Sequence, residues 1–212
     1  MSEPETPLQT PSKRATFRMD QRVQFRIQLC FVSVLAILLL LGGYRTYLSF
    51  KAQRDITIGR TNMLNLYKAL ANYVQDWDRL PPANAWTDLV RGYLTAPPNT
   101  PGGAESYLHG PADTGMVGYI YNDLAAGYNL EPTNINDRQK TLEPGNLVLL
   151  IEKVDVEPNA SIHIPTLREP EGEKVLQDNL SFPHFADDKE RAASLVLLAN
   201  GRIILRTRRD FR

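Results

Sequence analysis

TNMLNLYKALANYVQDWDRLPPANAWTDLVRGYL, residues 61–94, contains two amphipathic segments separated by Pro81-Pro82. In the first segment, apolar residues recur at spacings of three and four, which places them on one face of an α-helix. The residues of this stripe are Met63, Leu66, Tyr67, Leu70, Tyr73, Val74 and Trp77. Because such a stripe must be covered by a second layer, we expect the helix to pack on a β-sheet.

The second segment predicts a short helix. Pro81-Pro82 favours an extended connection, after which a helix begins near Thr87. We expect its buried side to consist of Trp86, Leu89, Val90 and Leu94.

Three later stretches predict the strands of the sheet: 116–122, 146–154 and a hairpin over 194–207. In the hairpin, Asn200-Gly201 separates two apolar runs and favours a two-residue type I′ turn. The fold class is therefore α+β, with a long helix packed on a small antiparallel sheet. Loops are expected at 95–115, 130–145 and 155–192, the last of which is long enough to contain further structure.

The segment 27–44, IQLCFVSVLAILLLLGGY, predicts a transmembrane helix because it is uncharged over 18 residues. A cleaved secretory signal is the alternative, but the run is long for a signal and no Ala-x-Ala-like site follows it. Residues 45–77 are expected to continue the helix out of the membrane, and residues 78–212 to form the globular α+β domain. Residues 1–26 are expected to be a disordered, basic N-terminal segment.

Charge is unevenly distributed along the chain. Lys plus Arg and Asp plus Glu both total 24, yet residues 61–201 hold 10 basic and 19 acidic residues. Residues 202–212, in contrast, hold five Arg and one Asp. An acidic domain argues against nucleic acid as a partner. The basic residues flanking 27–44 number five before and four after, which leaves the orientation nearly undecided.

Five features in a fixed order resemble the type II secretion pseudopilin-like family. They are an N-terminal apolar helix, its continuation over 60–94, then GYIYNDLAAG, then PGNLVLLIEK, and finally a His followed by SLVLLANGRIILR. Within the second feature, the positions that match the family plan are Asn65, Leu66, Ala69, Leu70, Tyr73, Asp76, Asp78, Pro81 and Pro82. The resemblance covers residues 27–206 in patches.

The resemblance implies a pilin-like fold and a place in the inner membrane, crossed once, with the C-terminal domain outside the cytoplasm. It implies the lipid bilayer and other pilin-like or secretion-system proteins as partners. Two departures qualify it. The first is that no Gly precedes the apolar run and no acidic residue lies within it, so we expect the chain to keep its N-terminus. The second is that Asn200-Gly201 replaces the family's Asp-Gly in the hairpin, about 16 residues after His184.

Chemical motifs are sparse, because the chain has no phosphate-binding loop, metal-binding Cys/His spacing or nucleophile elbow. His109, His163 and His184 are far apart in sequence and give no indication of a catalytic triad. We therefore expect neither an enzyme nor a cofactor.

The best metal ligands are Asp187, Asp188 and Glu190, whose oxygens suit Ca²⁺ and whose position resembles the calcium loop of major pseudopilins. The alternative, solvated charges balanced by Lys189 and Arg191, is favoured because no fixed ligand pattern is present.

The sequence thus predicts a non-catalytic structural or assembly component of a pseudopilus or secretion-type apparatus. The alternative is a membrane-anchored extracytoplasmic binding module, with or without Ca²⁺, unrelated to secretion. Gene neighbourhood distinguishes the two, since a secretion component is expected beside an assembly ATPase.

Overall fold

The chain folds as an α+β protein with a long N-terminal helix and a small mixed sheet, as seen in a computed structural model. The structure describes residues 21–111, 117–130, 142–185 and 191–211, with side chains from residue 25 onward. It divides into two compact units, Met1–Thr46 and Tyr47–Arg212. Helix α1, Gln21–Trp77, belongs to both and begins inside the segment 1–26 that the sequence predicts to be disordered.

The C-terminal part of α1 supplies the predicted apolar stripe. Met63, Leu66 and Leu70 are fully buried and belong to the larger of two hydrophobic clusters. The prediction for Trp77 was wrong, since its side chain is 58% exposed. Trp77 is the last residue of the helix, where its ring stacks on Tyr73 at the surface and does not enter the core.

The sheet has five strands in the order β3-β1-β2-β4-β5. They are β1 Val117–Asn122, β2 Val148–Val156, β3 Ser161–Ile162, β4 Ala193–Leu198 and β5 Ile203–Thr207. The predicted purely antiparallel sheet was wrong, because the two-residue strand β3 pairs in parallel with β1. The other pairs, β1 with β2, β2 with β4, and β4 with β5, are antiparallel.

Both faces of the sheet are covered, so every residue of β1 and β4 is buried. One face carries the larger cluster, with α1 and Leu147, Leu149, Leu195 and Leu197. The other carries a second cluster that includes Leu176 of helix α3, Pro170–Asn179. Helix α3 lies in the stretch expected to be a loop. It starts with Pro170 at its first turn and has Glu171 and Glu173 there, the composition that suits a helix N-terminus.

Helix α2, Trp86–Arg91, occupies the position of the predicted second helix. Trp86 and Val90 are fully buried as predicted, but Leu89 is 37% exposed, so its prediction was wrong. The reason is the contact of Thr87 with the turn before β3. The Thr87 N–H and hydroxyl both donate to Asn159 Oδ1, at 2.8 and 2.6 Å, which turns Thr87 inward and Leu89 outward.

The β4–β5 hairpin is present, with Leu195 opposite Leu205 and Leu197 opposite Ile203. The predicted two-residue type I′ turn was wrong. The Gly201 N–H donates to Leu198 O, the Leu198 N–H donates to Arg202 O, and of the three residues 199–201 only Gly201 has a positive φ, 80°. This is a three-residue loop in which a turn is followed by a left-handed glycine.

Candidate functional site

The most exposed apolar surface of the described chain lies on the first part of α1. Residues 37–41 are consecutive large apolar residues and each exposes between 56% and 73% of its surface. Because consecutive helical residues point in all directions, this part of α1 is apolar around its whole circumference. One stretch of α1, within Phe25–Trp77, is long and apolar enough to cross a membrane. This geometry is compatible with a membrane anchor.

Two hydroxyl side chains in this part of α1 form hydrogen bonds within the helix. The Ser33 hydroxyl donates to Leu29 O at 2.8 Å, and the Thr46 hydroxyl donates to Gly42 O at 2.9 Å. Such bonds to the carbonyl four residues earlier are what an apolar solvent requires, since it offers no partner for a hydroxyl. The described segment 27–44 also contains no charged residue. Its chemistry therefore suits a lipid environment.

A buried pair of ionisable residues, Glu152 and His184, connects β2 to the chain that leads into β4. The imidazole Nε2 of His184 lies 2.7 Å from Glu152 Oε2, and both side chains are at most 2% exposed. Glu152 Oε2 also accepts the backbone N–H of Leu195 at 3.1 Å. Glu152 Oε1 is buried and has no hydrogen-bond partner. Of the two Glu152 carboxylate oxygens, Oε2 is therefore hydrogen-bonded and Oε1 is not.

Gly59 of α1 explains why the helix lies close to this pair. A Cβ atom at Gly59 would stand 2.8 Å from the Leu195 side chain and 3.2 Å from Glu152 Oε1. A larger residue at this position would require the Leu195 and Glu152 side chains to shift. The sequence marks Gly59 merely as a weak helix former, and its packing role depends on residues about 90 and 130 positions away.

The three histidines have separate environments. His163 Nδ1 lies 2.6 Å from Asp123 Oδ1 on the surface, whereas His184 contacts Glu152 in the interior. His109 follows a 3₁₀ segment, and its backbone carbonyl accepts the Asn62 amide at 2.9 Å. The Glu152–His184 pair was missed from sequence, where the only signal was an acidic residue, Glu152, directly after the apolar run 147–151.

Asp187, Asp188 and Glu190, the predicted metal ligands, lie outside the described residues. The residues on either side are described: His184 and Ala193 exchange two backbone hydrogen bonds, of 3.1 and 2.9 Å. Among the residues that the structure does describe, no group of three or more His, Cys, Asp or Glu side chains is placed to hold a metal ion.

Comparisons with protein-family models, with curated proteins and with solved structures gave no match. The resemblance to pseudopilin-like proteins therefore stays a prediction from the sequence.

Proposed function

We propose that this protein is a non-catalytic, membrane-anchored assembly component of a pseudopilus or secretion-type apparatus. The observation that carries the proposal is the continuity of α1. A single helix, Gln21–Trp77, is apolar and exposed in its first part and forms the core of an α+β domain in its last part. In such a component, the helix that enters the bilayer is the same helix that contributes to the core of the domain.

The two ends of α1 require different surroundings. Leu39 and Leu40 expose 68% and 73% of their surface, an arrangement that is stable in lipid and aggregates in water. Met63 and Leu66 are fully buried under the sheet, as in a water-soluble domain. One helix thus has an apolar, exposed part and a part that is buried in the domain, which supports a membrane anchor at its N-terminal end.

The proposal of a non-catalytic role rests on the ionisable pairs. His184 and Glu152 are closed to solvent, so a substrate has no access to either side chain. His163 and Asp123 are 62% and 42% exposed and contact each other on the surface, and such an exposed contact typically contributes little to stability. We infer a structural role for the buried pair, holding the segment before β4 against β2.

Membrane fractionation followed by protease treatment tests the proposal. The full chain should sediment with membranes, resist carbonate extraction and be released by detergent. Protease added to intact spheroplasts should remove the domain, because the pseudopilin resemblance places residues 78–212 outside the cytoplasm. Recovery of the chain in the soluble fraction contradicts the anchor. Protection of the domain until lysis contradicts its position.

A further inference from the structure

The C-terminal end of α1 carries an exposed aromatic and acidic surface, formed by Asp76, Trp77, Asp78 and Tyr93 and called here the Trp77 surface. Trp77 is 58% exposed, the largest exposed fraction of any large apolar side chain described after residue 50. Tyr93 lies just beyond α2. An exposed tryptophan in a folded domain is characteristic of a contact surface, because Trp is strongly enriched at the centres of interfaces.

Trp77 is held in one position by its neighbours. Its indole N–H donates to the Tyr93 hydroxyl at 3.1 Å, and that hydroxyl donates to Asp76 Oδ2 at 2.8 Å. The ring also stacks on Tyr73, with centroids 6.1 Å apart and planes 24° apart. The hydrogen bond to Asp76 raises the pKa of Tyr93, which keeps the phenol protonated as a donor. A side chain fixed in this way loses little conformational entropy on binding.

Negative charge predominates on the Trp77 surface, where the basic residue nearest in the chain, Arg79, forms no ion pair with either aspartate within the described residues. Trp77 ends a helix of 57 residues, and the C-terminus of a helix carries a partial negative charge. Asp76 and Asp78 add two carboxylates there, although the helix dipole favours cations at this end. The last turn of α1 contains no basic residue, and neither aspartate forms an ion pair within the described ranges. The surface is therefore suited to a cation.

We propose that the Trp77 surface binds arginine side chains from the C-terminal segment 202–212 of a second copy of this chain. A guanidinium stacks on an indole face and donates to carboxylates at the same time, which a lysine ammonium cannot do as well. The segment holds five Arg and one Asp, whereas residues 61–201 of the domain are net acidic. Arg202 and Arg208 are exposed; the Arg208 guanidinium lies 5.3 Å from the centroid of the Phe182 ring, so Arg202 is the first candidate for contact with a neighbour.

This contact joins different surfaces of the two copies. The Trp77 surface lies at the end of α1, whereas the arginines follow and flank β5. A contact between unlike surfaces repeats from copy to copy and produces an open chain unless its rotation closes a ring. Self-association of this kind does not depend on the proposed secretion role.

The test is photo-crosslinking of the full chain in detergent micelles, with the crosslinking amino acid benzoylphenylalanine at the exposed position Asn72, one helical turn before Asp76. Mixing isotope-labelled and unlabelled chains identifies contacts between copies. We expect mixed crosslinks that map to residues 202–212 and decrease as salt is raised from about 0.05 to about 0.5 M, because exposed charges are screened. Trp77→Leu should reduce them about two- to fivefold, the usual contribution of an exposed cation–π contact.

Two double variants distinguish an effect of the charges on the Trp77 surface from an effect of the net charge of the chain. Asp76→Asn with Asp78→Asn should reduce the mixed crosslinks as Trp77→Leu does, and an Asn at position 76 can still accept from Tyr93. Glu157→Gln with Asp178→Asn makes the same charge change at two other exposed positions and should have no effect. Near-ultraviolet signal from buried Trp86 confirms folding of each variant.

Three outcomes overturn the proposal. The first is an absence of mixed crosslinks to 202–212. The second is an equal loss in the paired control. The third is that the photo-reactive residue at position 72 captures another region of the second copy or, in cells, captures a different protein alone.

Discussion

Removing both members of the Glu152–His184 pair should destabilise the domain by less than the sum of the two single removals. His184→Leu leaves the buried Glu152 carboxylate with one donor, the Leu195 N–H, in place of two. Breaking a buried pair in this way typically costs about 3–5 kcal/mol. Glu152→Leu instead leaves two buried donors, the imidazole and the Leu195 N–H, without an acceptor, which costs about 1–3 kcal/mol for each group.

The double variant Glu152→Leu with His184→Leu replaces the pair with apolar groups of comparable volume. It removes the carboxylate oxygen Oε1, which is buried without a partner in the native chain. Such replacements are often close to neutral, so the double variant should lose about 1–3 kcal/mol less than the sum of the single losses. The remaining cost is the Leu195 N–H, which still lacks an acceptor.

The assay is chemical denaturation of the full chain in micelles, followed by the emission of its two tryptophans, Trp77 and Trp86, both of which lie outside the apolar segment 27–44. Trp86 is fully buried and its indole N–H donates to Ala160 O, so its emission reports the domain and not the anchor. Additive single losses would refute the reasoning. Losses below about 1 kcal/mol in both single variants would do so as well, since they would mean that the pair is hydrated and not closed.

The remaining predictions concern the turn, a buried amide and alkaline pH. Gly201→Val should cost at least about 1 kcal/mol in the same denaturation assay, because φ is positive there and the new Cβ would stand 3.0 Å from the Tyr67 ring; an unchanged midpoint contradicts this. Asn200→Asp should be nearly silent, since either side chain accepts the Arg202 N–H. Asn122→Asp should cost about 2 kcal/mol or more, because the Asn122 amide donates to Val148 O and Ile164 O and a carboxylate cannot; a smaller loss shows that the site rearranges. Burial raises the pKa of Tyr121 well above its ordinary value, so the phenol's contribution to stability is intact below about pH 10 and decreases above it by up to about 1.4 kcal/mol per pH unit; Tyr121→Phe should flatten this decrease, and an unchanged pH profile contradicts the assignment.

The elements that the sequence predicts well are those with a strong apolar pattern. The stripe from Met63 to Val74 has a helical period, and β2 and β4 are near-continuous apolar runs, so each identifies its own structure. Helix α3 was missed because its ten residues include only Val175 and Leu176 as large apolar side chains. Strand β3 is too short, at two residues, to give any pattern.

Other features depend on contacts between residues distant in sequence. The Asn200-Gly201 dipeptide favours a two-residue turn, but the N–H groups of Ala199 and Asn200 donate to Leu147 O and Pro144 O, which fixes a longer loop. In the same way, the Glu152–His184 pair and the close approach at Gly59 follow from the packing of β2, β4 and α1. No local period in the sequence encodes them.

Crosslinking in cells tests the proposed assembly role most directly. A photo-reactive residue placed in turn at exposed positions 47, 50, 51 and 54 of α1 samples the part of the helix between the apolar segment and the domain core. The captured proteins are then identified by mass spectrometry. The proposed function predicts repeated capture of pilin-like or other secretion-apparatus components at these positions, which share one face of the helix. Crosslinks to lipid alone at every position, or to proteins with no relation to an envelope assembly, would contradict it.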